Sequence, residues 1–213
     1  MMNKFVNRAW GAAVAAFALA SIAPANAHAQ SWKTPNGSAR AAWVNSGGVT
    51  TTVAATTLPS GGGIQSADDS AATVSGLLST GSATSVTSGS ADVSRLGVQG
   101  VATAADVNIL NGRITASRVI AIATVSDAGN RTSVDGDGSG ASSLVIDGVA
   151  IGDGLAPNSR VELPGAGYVI LNEQLRGKGR GASLTVNMIH VYLTGATTGE
   201  IIVASATSAS SGS

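Results

Sequence analysis

Residues 144–174 read Leu-Val-Ile-Asp-Gly-Val-Ala-Ile (144–151), Gly-Asp-Gly-Leu-Ala-Pro-Asn-Ser-Arg-Val-Glu-Leu-Pro-Gly-Ala-Gly (152–167) and Tyr-Val-Ile-Leu-Asn-Glu-Gln (168–174). Short apolar runs alternate with Asp-Gly, Pro-Asn and Pro-Gly, dipeptides that turn strands back on themselves. A two-residue loop at Asp147-Gly148 sets Ile146 against Val149 and Leu144 against Ile151. The stretch therefore predicts antiparallel β structure and carries no recognisable reaction chemistry.

The same logic extends upstream. From Val101 the residues Val101, Thr103, Ala105, Val107 and Ile109 alternate with Ala102, Ala104, Asp106 and Asn108, the period of a strand with one buried side. Asn111-Gly112 follows, and both central residues of a type I′ turn need positive φ. A two-residue loop there places Leu110 against Arg113, Ile109 against Ile114 and Val107 against Ala116, apolar against apolar. Val119 to Val125 is apolar on both faces and reads as a central strand. Downstream, Leu184 to Leu193 is a long strand. Its apolar residues switch from one face (Leu184, Val186, Met188) to the other (Ile189, Val191, Leu193), as a bulge or a strand crossing between two sheets produces. Gly199 precedes a last strand, Glu200 to Ala204.

Residues 30–90 are less decisive. Gln30 to Arg40 is polar, and Val49-Thr50-Thr51-Thr52-Val53 is a β-branched run that reads as a strand. Ile64 to Ser90 is rich in Ser, Thr, Gly and Ala, and suits either weak strands or a low-complexity linker. No helical periodicity is sustained outside the first residues. The fold expected is an all-β antiparallel sandwich, with a partial β-solenoid over Val93 to Val125 as the alternative. The organisation expected is a signal-peptide helix over 1–29, a flexible extension with weak strands over 30–90, a sandwich core over 91–206 and a Ser-rich tail over 207–213.

Lys4 and Arg8 precede an apolar run from Ala9 to Ala20, broken by Pro24 and followed by Ala25-Asn26-Ala27 and Ala27-His28-Ala29. This is the pattern of a cleaved secretory signal, too short to span a bilayer. Its removal leaves 10 basic against 12 acidic residues. A nucleic-acid role is disfavoured by that balance, and no second apolar segment has membrane length. Cysteine is absent, so stability in an oxidising compartment comes from packing. Hydrophobic residues make up 44% of the chain, which argues against disorder and for closely stacked strands of small side chains.

The ordered series Leu144 to Val149, Pro157-Asn158, Leu163-Pro164-Gly165, Tyr168 to Gln174, Leu184 to Val191 and Gly199 to Val203, with the run at 110–116, resembles the choice-of-anchor P family of secreted bacterial proteins. The likeness covers about residues 90 to 206. It implies an exported protein on, or released from, the cell envelope, and does not imply an enzyme. Members carry varied C-terminal anchors; after Ser205 this chain shows no sorting motif, apolar tail or basic stop.

Candidate sites are few. His190 is the one histidine outside the signal region, and a Ser-His-Asp triad would need it. No Gly-x-Ser-x-Gly elbow accompanies it, so it reads as a structural strand histidine. One histidine and no cysteine disfavour zinc. Asp127, Asp135, Asp137, Asp147 and Asp153 sit near glycine turns, where calcium finds carboxylate and backbone oxygens; Asp127, Asp135 and Asp137 are the calcium candidates, although Asp also favours turns by bonding its own backbone. Arg176-Gly177-Lys178-Gly179-Arg180-Gly181 is a basic loop that suits an acidic polysaccharide or a solvated hairpin tip. Glu162 and Glu173 are conceivable glycosidase carboxylates, but Trp32, Trp43, Tyr168 and Tyr192 look too few and scattered for a sugar cleft. The expected function is a non-enzymatic extracellular structural or surface protein. Its expected partners are copies of itself, through strand addition, or envelope components. A binding module for glycan or calcium is the alternative.

Overall fold

The computed structural model describes residues 33–92, 94–128, 131–152, 154–177 and 181–211. The expected signal helix over 1–29, Asp153, Lys178 and Arg180 lie outside them. Sheet A contains β1 (Thr34–Ser46), β2 (Val49–Thr57), β13 (Ser159–Leu163), β14 (Gly167–Arg176), β15 (Ser183–Thr194) and β16 (Thr198–Ser211), in the spatial order β13-β14-β15-β16-β1-β2. Sheet B contains β3 (Gly63–Asp69), β4 (Ala72–Val74), β5 (Leu78–Thr80), β6 (Ala83–Ala91), β7 (Arg95–Ile109), β8 (Ile114–Ala128), β9 (Arg131–Asp135), β10 (Gly140–Ser142), β11 (Val145–Ile146) and β12 (Val149–Ala150). The two sheets pack face to face as an antiparallel β-sandwich, β1 and β16 lying over β6, β7 and β8. Among the described residues no helix is long and apolar enough to cross a membrane.

Local chemistry sets the central hairpin. Leu110, Asn111 and Gly112 all take positive φ, of 53°, 54° and 91°, so the expected Leu110–Arg113 pair lies in the turn rather than on the ladder, while Ile109 faces Ile114 and Val107 faces Ala116 as the expected register requires. The β7–β8 pairing then keeps one register to Arg95 opposite Ala128, interrupted only at Asp106 and Ser117. This antiparallel ladder replaces the solenoid alternative, which needs parallel coils. Asp147 and Gly148 likewise have φ of 45° and 79°, and Ile146 faces Val149. At Leu163-Pro164-Gly165 the Ala166 N–H bonds the Leu163 carbonyl, with Gly165 at φ 76°, the geometry of a type II turn. Pro157-Asn158 instead leads the chain from sheet B into sheet A.

Residues 34–91 are not an extension outside the core. They supply β1 to β6, and β1 is a central strand paired with β16 on one side and β2 on the other. The Ser-rich C-terminal stretch is also a correction: β16 continues through Thr207 to Ser211. Serine is accommodated there because its hydroxyl finds partners. The buried Ser208 Oγ donates to the Ala123 carbonyl of the opposite sheet at 2.7 Å, and Thr207 and Thr185 hydroxyls meet at 2.9 Å. The sheets come so close at this end that a Cβ on Gly100 would lie 3.0 Å from the Ser38 carbonyl and 3.2 Å from that of Thr207. Small side chains thus set a thin sandwich, with larger ones such as Ile109, Ile114, Met188 and Ile201 filling the other end.

The face switch expected in β15 is real, but neither a bulge nor a sheet crossing causes it. Asn187 opposes Ser205 and Ile189 opposes Val203 in one unbroken register, with only Met188 unpaired. The same level is unpaired in all the strands alongside: Asn172 in β14, Ala204 in β16, Ala41 in β1 and Ala54 in β2. Asn172, Ala204 and Ala54 adopt left-handed φ of 49°, 54° and 42°. In each strand two successive residues point inward at this row, for example Met188 and Ile189, or Val203 and Ala204, all buried. Sheet B bends in the same sense at Asp106, φ 49°, where Asp106, Ser117 and Arg118 lie exposed on its outer side. The outer side of sheet A is consequently creased and concave. Glu173, Asn187, His190, Ile202 and Ser205 face outward there yet are only 3–6% exposed.

Candidate functional site

The crease and its borders gather polar groups from five strands, β1, β16, β15, β14 and β13. On one side of it Arg40, Ser205, Asn187 and Glu173 stand in register across β1, β16, β15 and β14. On the other side the row is Trp43, Ile202, His190, Ile170 and Arg160, followed by Asn45, Glu200, Tyr192, Tyr168 and Glu162. Strand alternation, reset at the crease, aims all of these side chains outward.

The buried groups form one chain of hydrogen bonds. Ser205 Oγ donates to Asn187 Oδ1 at 2.7 Å, and Asn187 Nδ2 donates to Glu173 Oε2 at 2.7 Å. His190 Nδ1 lies 2.7 Å from the same Glu173 oxygen, and Tyr192 donates to Glu173 Oε1 at 3.2 Å. Burial pushes the Glu173 carboxyl up, but the donors from His190, Asn187 and Tyr192 outweigh it and hold the group below the ordinary glutamate value. Ionised Glu173 makes Nδ1 the protonated donor nitrogen. The opposite nitrogen, Nε2, is buried without a hydrogen-bond partner among the described residues and faces Glu200 Oε2 at 3.5 Å. Burial and the Glu173 charge both raise the Tyr192 pKa, so its hydroxyl stays a donor.

An aromatic stack covers this network. The Arg160 guanidinium lies 3.7 Å from the Tyr168 ring centroid, Tyr168 stacks on Tyr192 at 4.8 Å, and Tyr192 on His190 at 4.0 Å. The arrangement orients and seals His190. No serine hydroxyl among the described residues bonds His190: Ser205 serves Asn187 instead. Chemically the cluster is a buried hydrogen-bonded network around Glu173, with His190 Nε2 left unbonded among the described residues, set into the outer surface of sheet A.

The carboxylates expected to bind calcium are not brought together. Asp127, on β8, forms an ion pair with Lys33 and accepts from Thr132. These bonds hold its carboxyl below the ordinary aspartate range: the Lys33 contact is the largest influence, partly opposed by burial. Asp135 pairs with Thr124 on the ladder where Asp127 pairs with Thr132, three positions or about 10 Å away. Its Oδ1 accepts the Asp137 N–H, a turn-forming bond. Asp147 is clamped by Arg113 at 2.6 Å. Among the described residues no three His, Asp or Glu side chains converge as a metal site. Glu162 pairs with Arg160 at 2.7 Å and Glu173 with His190, so the two candidate glycosidase carboxylates have different partners on opposite sides of the crease. Arg176 donates to the Val134 carbonyl at 3.4 Å.

The aromatic residues overturn the expectation of scatter. Trp43, Tyr168 and Tyr192 are every Phe, Trp and Tyr of the described residues, and all face outward on sheet A. A partial signal existed: His190 and Tyr192 share a strand face two residues apart, as do Tyr168 and Ile170. Nothing local joins them to Trp43, which arrives on β1 through its pairing with β16. No family model, curated protein or solved structure matches this chain, so the functional argument rests on these residues.

Proposed function

We propose that this is a non-enzymatic extracellular structural or cell-surface protein that assembles through β-strand addition. The observation that carries the reading is where its exposed large hydrophobic residues lie. Val49, Ile64, Val149 and Leu175 are 53–74% exposed, and each belongs to a strand edge. Val49 is on β2, paired only with β1; Ile64 is on β3, paired only with β6; Val149 is on β12, paired only with β11. Leu175 lies on β14 beyond the reach of β13, whose pairing stops at Leu171.

An open edge offers unpaired N–H and C=O groups to another chain, and burying one such side chain stabilises by about 1.5–3 kcal/mol. Charge guards one end of β3, where Asp69 Oδ2 accepts the Ala54 N–H at 2.8 Å; Gly63 to Ala67 stays free of it. The export pattern in residues 1–29 and the resemblance to choice-of-anchor P proteins support an extracellular setting. Light scattering and negative-stain imaging of the full chain test assembly. Concentration-dependent oligomers that Ile64→Lys or Val49→Lys abolish are expected; a monomer at every concentration refutes the proposal. A second reading, a glycan-binding module, is favoured by the concave aromatic face of sheet A.

A further inference from the structure

Among the described residues, one arginine on the outer face of sheet A stands without a carboxylate partner. Arg160 holds Glu162 at 2.7 Å, Glu173 receives three donors, and Glu200 faces His190 at 3.5 Å. Arg40 has no carboxylate within 4.0 Å among the described residues. It is half-buried, and loss of hydration lowers its pKa with no carboxylate to offset it. Its guanidinium carbon sits 5.3 Å from the Trp43 ring centroid, within cation–π range. Ser205 and Ala55 flank Arg40, and Ile202 and Thr52 flank Trp43, on the neighbouring strands.

We propose that Arg40 and Trp43 form a subsite for the carboxylate-bearing sugar of a glycan in which acidic and neutral sugars alternate. The inference rests on the glycan-binding reading of this face. The fork matches a carboxylate with two parallel N–H···O bonds, and the indole with Ile202 supplies apolar surface for the C–H side of a sugar ring. The unpaired row crosses five strands, about 19 Å at about 4.8 Å per strand, so the crease suits an extended polymer rather than a small anion. Alternation follows from the charge distribution: beside the one unpaired cation, Arg160 is already neutralised by Glu162 and Glu200 adds negative charge, so the face offers a single anion site and repels densely charged chains.

The test is calorimetry of the full chain with hyaluronan oligosaccharides, in which uronate and neutral sugars alternate, beside neutral chitin oligosaccharides and polygalacturonate. Hyaluronan binding is expected. It should fall about tenfold or more in Arg40→Gln and in Trp43→Ala, weaken with added salt, and be unchanged in Arg118→Gln on the exposed outer side of sheet B. Matching thermal melts establish that Arg40→Gln is folded. Binding of the neutral oligosaccharides alone, or hyaluronan binding indifferent to Arg40→Gln, overturns the subsite while the glycan reading stands. Tighter binding of polygalacturonate overturns the preference for alternating charge. Absence of binding to all three overturns the subsite and the glycan reading together.

Discussion

Substituting Glu173 by Gln tests whether the crease is held by its buried carboxylate. The change preserves volume and removes the charge on which Asn187, His190 and Tyr192 converge. A hydrogen bond to a charged group contributes about 1.5–3 kcal/mol, and the three here share one acceptor and are not additive. The Gln amide oxygen still accepts from one or two donors, but its NH2 then opposes another. A net loss of about 2–4 kcal/mol follows, or about 5–15 °C in Tm at about 2–4 °C per kcal/mol for a chain this long. The pH dependence has a definite sign. The folded Glu173 pKa lies below its ordinary value of 4.5, so its stabilisation is present above the unfolded pKa and is lost as pH falls through the folded one. The stability gap between wild type and Glu173→Gln should be widest near neutrality and narrow below about pH 4.5. Calorimetric melts of both proteins from neutral to acid pH measure it. A gap that stays constant with pH, or a variant melting with the wild type, would falsify the account. A double-mutant cycle with His190→Gln should give a coupling of about 1 kcal/mol or more.

Three further substitutions probe the fold. Gly100→Val forces a branched side chain onto the backbone of β1 and β16, where even a Cβ is 3.0 Å from a carbonyl; overpacking costs about 1–3 kcal/mol, and an unchanged urea midpoint would show that the sheets part easily. Gly112→Ala places a methyl at φ 91° and should cost about 1–2 kcal/mol in thermal denaturation; a neutral effect would mean the turn is not strained by a side chain. Ser208→Ala removes the 2.7 Å bond to the Ala123 carbonyl. It should lower stability by about 1 kcal/mol; no change by denaturant titration would mean that contact is idle.

The hairpins at Asn111-Gly112 and Asp147-Gly148 are legible because adjacent residues suited to positive φ mark the turn, and the turn fixes the register of everything beside it. The face switch at Met188 was legible as a pattern, though its cause was not. One strand records only its own inversion, whereas the crease is a row through five strands with left-handed backbone at Asn172, Ala204 and Ala54. The Ser-rich end of β16 reads as a tail in the sequence because serine usually reports solvent. Here its hydroxyls meet a backbone carbonyl across the sandwich and a threonine on the next strand. The turn aspartates attracted a metal reading, but Asp127 is occupied by Lys33 from 94 positions away, a partner no spacing reveals.

The sequence alone determined the antiparallel β class, the two tight hairpins and the alternation of β7 and β8. Those properties depend on neighbouring residues and on a two-residue period. Only the tertiary structure decided that β1 closes against β16 and brings Trp43 and Arg40 to the face of His190 and Tyr192. It alone decided, too, that Glu173 lies buried among three donors. Non-local pairing brings segments about 160 residues apart into register, and its stability comes from the burial of a whole face and from a shared bend, quantities that no single strand carries.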